Sequence, residues 1–87
     1  MVYKSVVITN KLGLHARPAA KFVELANRFK SDIYIKKDTA TVSAKSIMGV
    51  MVLGVDRGTE IIIEASGSDE QEALDALCAL IESGFES

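Results

Sequence analysis

The stretch Thr9-Asn10-Lys11-Leu12-Gly13-Leu14-His15-Ala16-Arg17-Pro18-Ala19-Ala20 decides the fold, because the hydrophobic period changes within it. Before it, Val2 to Ile8 is β-branched and alternating, with Val6 and Ile8 on one face and Tyr3, Ser5 and Val7 on the other, which reads as a strand. After it, Ala19, Phe22, Val23, Ala26 and Phe29 recur at helical spacing, while Lys21, Glu24 and Arg28 look outward. Asn10 and Gly13 favour a loop between the two. Proline lacks an N–H and has its φ preset, so Pro18 belongs in a first helical turn and puts the helix start near Ala16.

Outward from that point the remaining elements follow the same rules. Asp32 to Lys37 carries Ile33 and Ile35 on one side; a polar turn around Asp38 leads to Thr39 to Ser43, with Val42 on the facing strand of a hairpin. Ser46 is a good N-cap for one or two turns over Ile47-Met48-Gly49-Val50-Met51. Glu60 to Ala65 reads as a strand with Ile61, Ile63 and Ala65 sharing a face. Ser68-Asp69-Glu70-Gln71 has the pattern of a capping box, and Ala73, Leu74, Leu77, Leu80 and Ile81 supply the buried stripe of a last helix that Gly84 stops. The order β-α-β-β-α-β-α, without repeat, linker or low-complexity tract, predicts an α+β fold: a sheet with one face covered by helices and the other wet. The whole chain, residues 1–87, reads as one domain.

Composition narrows the functions. Surface scaling for 9.4 kDa gives about 5,000 Å² exposed when folded, roughly 63% of the unfolded surface being buried, enough for a core without staples. Hydrophobic residues at 48% exclude a disordered tail. Ten Lys+Arg against twelve Asp+Glu, a formal charge of −2, make nucleic acid a poor partner. The single cysteine, Cys78, cannot form an intramolecular disulfide, and no residues have zinc-ligand spacing, so no metal is expected and a reducing cytoplasm fits. No long apolar segment suggests a leader or membrane insertion, and the mature chain is expected to start at Met1.

His15 is the only histidine, and it stands immediately before the predicted helix start, next to Arg17. An imidazole is a nucleophile only when neutral, and the positive end of a helix dipole opposes its protonation. Arg17 adds repulsion of the same sign. Its forked donors, beside the main-chain N–H groups of the helix start, also suit phosphate oxygens. Phosphoryl transfer needs positioning and charge stabilisation more than elaborate machinery, so one nucleophile and one cation suffice for a carrier. A lone histidine at a helix start is nonetheless more often a surface or capping residue.

The run Gly13-Leu14-His15-Ala16-Arg17-Pro18-Ala19 resembles the active-site signature of the HPr family, the histidine-containing phosphocarriers of the bacterial phosphoenolpyruvate-dependent sugar phosphotransferase system. Lys45-Ser46-Ile47-Met48-Gly49-Val50-Met51 with Leu53-Gly54 resembles that family's regulatory serine segment, in its Gram-positive-like form. The resemblance spans essentially the whole chain. It implies a four-stranded antiparallel sheet in order 1-4-2-3 with three helices on one face. It further implies that His15 accepts phosphate on Nδ1 from phosphorylated enzyme I and donates it to IIA domains of sugar permeases, with Arg17 steadying the phosphoryl group. Ser46 is then a target of an ATP-dependent kinase/phosphorylase, and its phosphorylation is expected to weaken transfer from enzyme I and to create an anionic feature for a LacI-type catabolite-control regulator. No cofactor is implied, and a cytoplasmic monomer is the default.

Ile47, Met48 and Met51 suit a core on apolar character alone, but a short helix cannot bury every side, so its exposed members are expected to form an apolar patch beside His15 that Leu14 and Ala20 extend. Val52 departs from the family pattern, where a small polar residue is expected. Cys78 reads as helix packing, and Asp69, Glu70 and Glu72 as a solvated helix start. A purely regulatory relative is disfavoured, because such HPr-like proteins lack the active histidine that His15 supplies. A carrier of a nitrogen-related or other non-sugar system would keep His15. An enzyme with its own small substrate finds no paired carboxylates and no nucleotide loop.

Overall fold

The computed structural model describes residues 1–11 and 13–85; Leu12, read above as part of the first loop, lies outside the described residues. The elements run β1 (Val2–Val7), α1 (Ala16–Ala26), β2 (Asp32–Lys37), β3 (Ala40–Ser43), α2 (Ile47–Val52), β4 (Glu60–Ser66) and α3 (Glu70–Glu82). The sheet is antiparallel throughout in the order β1-β4-β2-β3, so the expected topology holds. Accessible surface is 4984 Å², matching the size scaling.

The isoleucine-rich β4 sits between two neighbours, which is where β-branched residues on both faces pack best. Its Ile61, Ile63 and Ala65 join Val6, Ile33 and Ile35 on the buried face. Phe22 of α1 and Leu77 of α3, both fully buried, belong to the core that closes this face. The opposite face exposes Tyr3, Val7 and Tyr34. It is crossed by the Lys36–Glu64 ion pair at 3.1 Å and by the Ser5 hydroxyl donating to Glu60 at 2.8 Å.

Helix ends show where local chemistry won. Gly84 (φ +71) ends α3 as expected: its N–H donates to Ile81 and that of Phe85 to Leu80, the paired bonds of a left-handed helix stop. The expected Ser68–Gln71 capping box does not form. Asp69 is the N-cap residue, and its carboxylate is committed elsewhere, accepting from the N–H groups of Lys30 and Ser31 at 2.9 Å each and from the Ser31 hydroxyl at 2.5 Å. Glu70 instead reaches back to accept from the Gly67 N–H at 3.1 Å. The Ser31 hydroxyl bond, reinforced by the Lys30 N–H, holds the Asp69 carboxyl pKa down at about 2, from an ordinary 3.8.

Candidate functional site

His15 is the N-cap residue of α1, in an extended conformation (φ −86°, ψ −168°), and its side chain makes no capping bond. The imidazole is exposed. The first main-chain bond of α1 runs from the Ala19 N–H to the His15 carbonyl at 2.9 Å. Pro18 therefore sits where no N–H is missed, and the N–H groups of Ala16 and Arg17 stay outside the helical ladder. Arg17 is exposed, and among the described residues its guanidinium has no hydrogen-bond or ion-pair partner. An unspent ring, two unspent main-chain donors and an unspent cation thus share one helix start, an arrangement that can receive a tetrahedral dianion.

The loop that presents His15 is fastened from behind. The Leu14 N–H donates to the Val55 carbonyl at 2.8 Å, and the Asn10 side-chain amide donates to the Gly13 carbonyl at 2.6 Å. Leu14, expected in the exposed patch, is instead only 3% exposed and belongs to the core. The reason is its position: the residue before an N-cap commonly packs back on the fourth helical residue, here the buried Ala19. Ala20 is exposed as expected.

Ser46 caps α2 as the sequence predicts, its hydroxyl oxygen accepting from the Gly49 N–H at 3.1 Å. The α2 side chains then divide. Val50 is fully buried, whereas Ile47, Met48 (70% exposed), Met51 (43%) and Val52 (77%) face solvent. Val52, whose departure from the family pattern suits an adjustment of the partner surface, stands four residues after Met48 and continues its exposed stripe.

The two helices run antiparallel. At one end, Asn27 after α1 donates to the Lys45 carbonyl at 3.3 Å, and Lys45 Nζ donates to the Phe29 carbonyl at 2.8 Å. At the other, Leu14 meets Val55. His15 and Ser46 therefore lie at opposite ends of α1, about 16 Å apart by the helical rise over its eleven residues. Met51 and Val52 lie toward the His15 end, Ile47 and Met48 toward Ser46. Lys37 closes the exit of α2, donating from Nζ to the carbonyls of Gly54 at 2.7 Å and Leu53 at 3.3 Å. Cys78 is buried, and burial pushes its thiol up. Among the described residues no His, Cys, Asp and Glu cluster could hold a metal, and no helix is long and apolar enough to cross a membrane.

Residues 2–83 match the family model described as the PTS HPr component phosphorylation site. The HPr-like protein Crh of Bacillus subtilis is 54% identical over 94% of this chain and 96% of its own. The phosphocarrier protein HPr of Neisseria meningitidis serogroup A is 47% identical over 98% and 96%. Among solved structures, HPr-C-His from Thermoanaerobacter tengcongensis superposes with a TM-score of 0.96 at 52% identity, covering 100% of this chain and 99% of that one. The same Bacillus Crh, described in crystals as a swapped, intertwined dimer, gives 0.77 at 53% identity over 95% of each chain. With a family match that runs nearly end to end and the sheet order and helices of a solved HPr, this chain belongs to the HPr family of the phosphotransferase system.

Proposed function

We propose that this chain, acting as one domain in the cytoplasm, is a phosphocarrier that takes a phosphoryl group onto Nδ1 of His15 from phosphorylated enzyme I and hands it to IIA domains of sugar permeases. The observation that carries the reading is the exposed, uncapped imidazole of His15 at the start of α1, beside an Arg17 with no partner among the described residues. The nitrogen–phosphorus bond forms as the donor's bond to phosphorus breaks, and the phosphoryl oxygens come to rest against the Ala16 and Arg17 N–H groups and the guanidinium. The group stays reactive, so the protein turns over only through its partners.

Partner docking is assigned to Ala20 and the exposed α2 residues Ile47, Met48 and Met51, with Val52 added from the structure and Leu14 removed by its burial. Ser46 is assigned as the regulatory site of a kinase/phosphorylase. Its separation from His15 exceeds a Debye length of about 8–10 Å, so an added phosphate acts on docking across α2 rather than on the imidazole directly. The phosphorylated surface then suits a LacI-type regulator.

The second reading, a regulatory module, is favoured by the likeness to Crh; against it stands His15 itself. A non-sugar carrier keeps the same chemistry with other partners. Incubation with phosphoenolpyruvate and enzyme I, then with purified IIA domains, separates the three. Label that reaches IIA of a sugar permease supports the proposal. Label on the chain that passes only to a non-sugar acceptor moves it to the closer rival, and no label supports the regulatory module. A monomer, the default from sequence, does not follow from relatives that include a swapped dimer; light scattering on the same sample measures it.

A further inference from the structure

The sulfur atoms of this chain are distributed unevenly. Cys78 is 3% exposed, and its thiol is pushed up by burial, which suppresses the thiolate that oxidants attack. The three methionines are all exposed: Met1 at 72%, Met48 at 70% and Met51 at 43%. Two of them lie on α2, whose six residues, Ile47-Met48-Gly49-Val50-Met51-Val52, carry no side-chain heteroatom except those two sulfurs. Met48 and Met51 are three residues apart and share a helix face. Everything that docks on this face by apolar contact meets both.

We propose that Met48 and Met51 form a methionine-oxidation site through which peroxides weaken partner docking, an inference that rests on the docking role assigned to α2 above. The sulfur lone pair attacks one peroxide oxygen; the O–O bond breaks, an S–O bond forms, the sulfur gives up two electrons, and the second oxygen leaves as water with both protons. The product is a polar, chiral sulfoxide whose oxygen wants a hydrogen-bond donor, and a partner surface that buries it against apolar atoms leaves that oxygen unpaired. The fold survives, because Met48 and Met51 are both exposed residues outside the core, while Val50 alone anchors α2 in it. The site therefore separates from folding and acts on association.

The test treats the purified chain with hydrogen peroxide, maps sulfoxides by peptide mass spectrometry, and measures phosphoryl transfer from enzyme I across a range of chain concentrations. Sulfoxide at Met48 and Met51, an unmodified Cys78 and a KM raised about fivefold or more are expected. In the Met48→Leu/Met51→Leu variant the ratio of treated to untreated KM stays near one whatever its own untreated value, although Met1 is still oxidised. Wild type whose transfer is unchanged by sulfoxide at both positions overturns the assignment, as does a double variant that loses as much as wild type. Untreated protein that accepts no phosphoryl group overturns the carrier reading and this inference with it, so the two failures are told apart in one experiment.

Discussion

The Leu14 N–H donates to the Val55 carbonyl at 2.8 Å, and this bond ties the start of α1 to the chain leaving α2. The approach is possible because Gly13 has φ +67 and no side chain: a Cβ there would stand 2.3 Å from the Val55 oxygen and 2.7 Å from Asp56 Cα. Gly13→Ala is therefore expected to lower unfolding stability by about 1–3 kcal/mol in urea titration, and to slow phosphoryl acceptance by moving His15 off its helix start. An unchanged urea midpoint would contradict this packing.

Lys37 carries the same linkage one step further, since its ammonium meets the carbonyls of Leu53 and Gly54 just before Val55. Lys37→Met keeps the aliphatic stem and removes the donors. The expected loss is about 1 kcal/mol, with faster amide hydrogen exchange at Leu14 than in wild type. Arginine at this position should restore most of the protection; exchange at Leu14 indifferent to residue 37 would break the proposed connection.

Asp69 sets the acid limit. Its folded pKa, about 2 against an ordinary 3.8, is depressed, so its contribution to stability is present above the unfolded value and is lost as pH falls from about 4 toward 2. Asp69→Asn should lower the melting temperature at neutral pH and flatten its decline across that acid window. Gly67 lies against the same junction, where a Cβ would come within 2.7 Å of the Ser31 hydroxyl oxygen, so Gly67→Ala should also lower the melting temperature. Parallel melting curves for wild type and Asp69→Asn below pH 4 would count against the carboxylate.

What the sequence made legible was local. Pro18 marks the α1 start because its missing N–H is harmless only there, and Ser46 marks the α2 start because its hydroxyl bonds three residues on. The junction at Ser68 to Gln71 has a long-range cause: Asp69 finds its partners at Lys30 and Ser31, 39 and 38 residues away along the chain, where no window on the sequence reaches. Leu14 has a local cause instead: it stands just before the N-cap, where an apolar residue packs back toward the fourth helical residue, Ala19. The exposed apolar stripe of α2 was half legible, because a six-residue helix without polar side chains had to leave some of them in water, but which ones is decided by Val50 turning inward.

Ser46 separates a structural effect from a regulatory one. Ser46→Ala removes the acceptor for the Gly49 N–H and should cost about 1 kcal/mol. A phosphate on the same oxygen adds negative charge at a helix start, which tolerates it, so the phosphorylated protein should melt no lower than the unmodified form while accepting phosphoryl groups from enzyme I more slowly. A phosphorylated sample that unfolds early would place the effect in the fold instead.

The most direct measurement is nitrogen-detected NMR of the His15 ring in uniformly ¹⁵N-labelled protein, before and after incubation with phosphoenolpyruvate and enzyme I. The account predicts that Nδ1 of His15 alone becomes bonded to phosphorus, that the species is lost in acid, and that His15→Ala takes up no label. Phosphate found on any other residue, or an imidazole unchanged while label accumulates, would contradict it.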